Sequence, residues 1–83
     1  MSAMTHGWVP DDTLASRLVL VRRQCGLSQR AAAELCGLTF REWQSLEDGR
    51  AARGLDVKVR AISQALGVDR DWLMWGGALR DAC

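Results

Sequence analysis

Eighty-three residues, 48% of them apolar and 25% charged, make a single domain of ordinary globular composition with a small core. One Pro, no Tyr, and Ala and Leu in excess of β-branched residues argue against a sheet, and no apolar stretch nears the roughly 18 residues that span a bilayer. The net charge of +1 is low for a binder of polyanions, but it is uneven: residues 13–60 hold nine Lys/Arg against five Asp/Glu, residues 1–12 carry −2 and residues 61–83 carry −1.

In chain order, Met1–Asp12 shows no periodicity and is expected to be a flexible arm, with Trp8 and Val9 free to fold back on the first helix. It has no basic stretch followed by an apolar one, so it does not resemble a secretory signal. Asp11 and Asp12 supply an N-cap for a helix starting near Thr13, in which Leu14, Leu18 and Val21 recur at helical spacing and Gly26 is the stop. Ser28 caps a second, short helix through Cys36, with Ala32, Ala33 and Cys36 inward and Gly37 ending it. Thr39 caps a third helix, Glu42 completes a capping box, and Trp43 and Leu46 form the buried face before Gly49. A basic loop, Arg50–Gly54, leads to a fourth helix from about Asp56 to Leu66, burying Val59, Ile62 and Leu66. Asp69 caps a last short helix with Trp72, Leu73, Met74 and Trp75, and Gly76–Gly77 breaks it, leaving residues 77–83 as a tail. The expected architecture is all-α with five helices, the folded domain spanning residues 13–76.

Residues 28–48 have the make-up of a helix-turn-helix. Two short helices crossing at roughly 90–120° across a three- to four-residue turn need a small residue at the contact. Ala33 supplies it, and Gly37 tolerates the positive φ that the turn demands. Leu38 plugs the corner, while Trp43 and Leu46 pack the second helix on the first.

The elements Arg22, Gly26-Leu27-Ser28-Gln29, Ala33, Gly37-Leu38-Thr39, Leu46-Glu47-Asp48-Gly49-Arg50 and Ala65-Leu66-Gly67-Val68 resemble the lambda-repressor/Cro-type (XRE-like) helix-turn-helix family in order and spacing, over about residues 13–76. The resemblance implies a lambda-repressor-like fold and a regulator of transcription, of phage or prophage type, with Thr39–Asp48 as the helix entering the major groove. It assigns base contacts to Phe40, Arg41 and Ser45, with Gln44 adjoining. It assigns phosphate contacts to Ser28, Gln29, Arg30, Thr39, Arg50 and Arg53. Arg22 and Glu47 resemble a structural ion pair. For Arg41 the chemistry agrees, because a guanidinium bonds O6 and N7 of guanine bidentately. Phe40 departs from the polar residue common at its position: it either meets a thymine methyl or packs locally.

Bland alternatives stand beside these. Arg41, Gln44 and Ser45 also fit a solvated helix face, and Arg50 and Arg53 fit idle solvation. Cys25, Cys36 and Cys83 are odd in number without CxxC spacing, so reduced thiols in a cytoplasm, bacterial or phage-infected, are expected; Cys36 fits a core filler and His6 an arm residue. A helix so short cannot bury Trp72, Leu73, Met74 and Trp75 together, so Trp72, Met74 and Trp75 are expected at a homodimer contact. A competing function is a protein-interaction module, such as an antitoxin or antirepressor using that cluster; architectural DNA binding without base specificity is another. No cofactor, metal, small-molecule ligand or enzyme activity is expected, given one His and no phosphate loop or metal-ligand spacing. The partner expected is double-stranded operator DNA.

Overall fold

The computed structural model describes residues 12–76. The expected arm over residues 1–11, with His6, Trp8 and Val9, and the tail from Gly77 to Cys83 lie outside the described residues. Five helices follow in order: α1 Leu14–Gln24, α2 Gln29–Leu35, α3 Phe40–Glu47, α4 Leu55–Leu66 and α5 Arg70–Trp75, with no strand among the described residues.

Four of the five begin on a side chain that satisfies N–H groups the helix itself cannot. Ser28 Oγ accepts from the Ala31 N–H at 3.0 Å, and Asp69 Oδ1 from the Trp72 N–H at 2.8 Å. Thr39 and Glu42 form the expected capping box. At α1 the cap is Thr13 and not Asp11 or Asp12: Thr13 Oγ1 accepts from the Ser16 N–H at 3.1 Å, and Ser16 Oγ accepts from the Thr13 N–H at 3.0 Å. α4 starts one residue earlier than expected, on Gly54, which has left-handed backbone and no side-chain acceptor.

α3 packs on α1 and α2, and α5 packs on α1 and α4. Between them lie Leu18, Val21, Ala32, Ala33, Cys36, Trp43, Leu46, Val59, Ile62 and Leu73. Trp43 is the largest fully buried side chain. Ala32 and Cys36 are small, and the Trp43 indole occupies core space that larger side chains at those two positions would otherwise fill. Burial, with Cys25 nearby as a lesser cause, pushes the Cys36 thiol up, so it stays protonated as an apolar filler. Leu14 and Leu66, expected inside, are half-buried at the margin of this cluster.

One charged side chain is buried with the apolar ones. Arg17 is 5% exposed. Its Nε donates to the Leu73 carbonyl at 2.9 Å, Nη2 to the Met74 carbonyl at 3.0 Å, and Nη1 to Asp12 Oδ1 at 2.6 Å. The last carbonyls of a helix have no intrahelical donor, so α1 closes the end of α5 with a guanidinium. Asp12, read from the sequence as part of the arm, is thereby tied to the fold. Gly76 sits against this group: a Cβ there would lie 2.7 Å from both Arg17 Nη1 and Asp12 Oδ2.

Arg17→Ala removes donors from two carbonyls at the end of α5, and charge-assisted bonds of this kind contribute about 1.5–3 kcal/mol each. The variant is expected to unfold at lower urea and to lose hydrogen-exchange protection first in α5. Arg23→Ala, at an exposed position of the same helix, is expected to stay within about 0.5 kcal/mol of wild type.

Candidate nucleic-acid interface

The turn between α2 and α3 is built from local requirements. Gly37 takes φ +72°, a left-handed value that side chains avoid. The Leu38 N–H then returns to the Ala33 carbonyl at 2.8 Å, which closes the end of α2 and seats Leu38 against the core. Thr39 opens α3 immediately afterwards.

α3 is held from beneath by one carboxylate. Glu47 Oε2 accepts from Arg22 Nε at 2.6 Å and from the indole Nε1 of Trp43, and Oε1 accepts from Gln29 Nε2 at 2.9 Å and Arg22 Nη2 at 3.3 Å. The Arg22 and Glu47 side chains are 14% and 5% exposed, so the pair is shielded from water. Arg22 Nη1 also donates to the Leu27 carbonyl at 3.0 Å, fixing the loop before α2. Burial alone pushes the Glu47 carboxyl up, but the bonds from Arg22, Gln29 and Trp43 and the Arg22 charge prevail and hold it below the usual carboxylate range.

With Trp43, Leu46 and Glu47 turned inward, the opposite side of α3 is free. Arg41 and Gln44 are exposed and Ser45 is half-buried, and their spacing of three and four places them on one face. Among the described residues Arg41 has no ion pair. Asp48, the C-cap of α3, is exposed seven residues beyond Arg41, so the far end of this face carries a negative charge.

Residues 13–74 match the model of a helix-turn-helix domain. The chain belongs to this DNA-binding family. No individual curated protein matches it. The matched span takes in all of α1 through α4 and most of α5, so the helix-turn-helix domain includes the Glu47 group and the helices that support it.

The other residues assigned to DNA fall into four situations. Arg50 and Arg53, in the loop after α3, are exposed and without ion pairs among the described residues. Ser28 and Thr39 are exposed, but their hydroxyl oxygens already accept from Ala31 and Glu42. The Thr39 N–H donates to Glu42 Oε1 at 2.8 Å, the second bond of the expected capping box. Lys58 of α4 reaches Glu42 at 3.4 Å. The Thr39 backbone bond, followed by those of Lys58 and the Thr39 hydroxyl, holds the Glu42 carboxyl low against a smaller opposing effect of desolvation. Gln29, assigned to phosphate, is half-buried and bonded to Glu47, so it braces α3 from α2. Arg30 and Phe40, assigned to phosphate and base, are stacked on each other, with the guanidinium 4.4 Å from the ring centroid.

Of the three residues expected at a dimer contact, only Trp75 stands clear, at 76% exposed. Trp72 and Met74 are half-buried against the core, while Leu73 between them is fully buried.

Glu47 has a lower pKa folded than unfolded, so its contribution to stability is complete above the unfolded value and is lost as pH falls through the folded one. Urea midpoints measured from neutral pH down to about pH 3 are expected to fall most steeply below the ordinary Glu value of about 4.3. Glu47→Ala strands Arg22 beneath α3 and is expected to cost about 3–5 kcal/mol at neutral pH. The same substitution flattens the acid dependence.

Proposed function

We propose that this helix-turn-helix domain is a sequence-specific regulator of transcription that reads the major groove with α3, as repressors of the phage and Cro kind do, and acts by binding and not by catalysis. The observation that carries the reading is the division of α3: one face is locked to the fold through Trp43, Leu46 and Glu47, and the other presents Arg41, Gln44 and Ser45 to solvent. A rod supported in this way keeps its outer side chains fixed while they meet base edges, which is what direct readout needs. Arg50 and Arg53 lie beyond the C-terminal end of α3, where backbone phosphates flank a groove-bound helix. The Asp48 carboxylate at that end favours entry by the N-terminal half, with Arg41 leading. The cytoplasm of a bacterium or an infected host is the matching location.

Trp75 supports a second element of the proposal, a homodimer joined through α5. Two copies would then present α3 to half-sites one DNA turn, about 34 Å, apart. The same exposed indole favours the rival reading, a module that captures a protein such as a toxin or antirepressor target.

Selection from a random double-stranded pool is expected to return a consensus, palindromic if the protein dimerises. Enrichment of no sequence would point to architectural binding, and absence of binding to a protein partner. On the selected site, Arg41→Ala is expected to weaken binding by about 1–3 kcal/mol and to relax the preference at one base pair. Contact with five or six phosphates predicts a log–log salt slope near about −5. Sedimentation of wild type and Trp75→Ala tests the dimer, which the variant is expected to lose.

A further inference from the structure

Arg30 is the second residue of α2 and Phe40 the first of α3, so their contact bridges the two helices of the motif. Glu34 stands one turn along α2 from Arg30, at ion-pair spacing but in the less favourable order, with the base before the acid, and no such pair forms. Among the described residues Arg30 also makes no hydrogen bond. The stack on Phe40 is therefore what orients this guanidinium. A guanidinium seated over a ring spends no N–H on a hydrogen bond there and keeps donors for another partner. The ring in turn has one face covered by the cation and is half-buried, so it is poorly placed to receive a thymine methyl.

We propose that Arg30 and Phe40 form one unit in which Phe40 is a positioning residue, holding the N–H donors of Arg30 toward a pair of acceptors on DNA. This rests on the DNA-binding reading and revises the role of Phe40 within it. The acceptors are two atoms spaced for a fork, either two phosphate oxygens or O6 and N7 of a guanine. Holding the side chain beforehand spares the rotamer freedom that a loose arginine loses on contact.

Binding of full-length wild type, Arg30→Ala, Phe40→Leu and the double variant to the selected site provides the test, read by fluorescence anisotropy at two salt concentrations. Each single substitution is expected to weaken binding about tenfold, and the double variant little more than either single one. Phe40→Trp, which keeps a ring under the cation, is expected to bind like wild type. A loss common to all sequences, with the salt slope reduced by about one, identifies phosphate; a loss confined to sites with one particular guanine identifies the base. Multiplicative losses in the double variant overturn the proposal, as does an altered preferred base in Phe40→Leu with Arg30→Ala unaffected. If Phe40→Leu melts early, Arg30→Lys replaces it: the lysine keeps the charge without the fork, and binding equal to wild type overturns the proposal. Wild type that binds no DNA overturns both this and the parent reading, whereas unaffected variants of a binding wild type overturn only this one.

Discussion

A single carboxylate governs the geometry of the motif. Glu47 receives Arg22 from α1, Gln29 from α2 and Trp43 from its own helix, so three helices are registered against one pair of oxygens. A charge so shielded is tolerable only if it is paired and its lone pairs are used. The four donor contacts meet that condition, and among the described residues no buried side-chain polar atom lacks a partner. Because Trp43 both fills the core and bonds Glu47, packing and polarity fix the same orientation of α3. The outward direction of Arg41 follows from that orientation and needs no contact of its own.

The arginines divide by role. Arg17 and Arg22 are inward and serve as cross-braces, the first closing the end of α5 and the second the floor of α3. Lys58 is engaged with Glu42. The exposed cations without ion pairs include Arg30, Arg41, Arg50 and Arg53, carried on α2, on α3 and in the loop that follows. A formal charge near zero therefore understates the positive potential on the side of the motif, since two of its carboxylates, Glu42 and Glu47, are already neutralised by Lys58 and Arg22.

How much could be read from the chain depended on the range of each interaction. Gly37, the Thr39–Glu42 box, and the inward spacing of Trp43 and Leu46 are local signals, and the structure has them where the sequence placed them. The Arg22–Glu47 pair joins residues 25 apart and was visible only through resemblance to a family. Gln29 reaches Glu47 and Arg30 reaches Phe40 across helices, and nothing in linear spacing reveals which way a long side chain will turn. Arg17 left a trace: it lies three residues after Leu14 and one before Leu18, on the apolar stripe of α1, where a charge calls for a buried partner. That partner is backbone 56 residues on, invisible to any pattern. The first cap was misplaced for a simpler reason. Asp11, Asp12 and Thr13 are all good cap residues in succession, and Ser16 at the third helical position, which decides in favour of Thr13, is a weaker cue than Glu.

The Gly76 backbone lies within a side chain's reach of Asp12, so the described unit starts and stops at one spot on its surface. Such a closed outline suits insertion into a host loop, where two linkers can depart side by side without stretching the core. It also makes residue 76 a gate on joining the ends: any fusion that puts a side chain there must first push Arg17 and Asp12 aside.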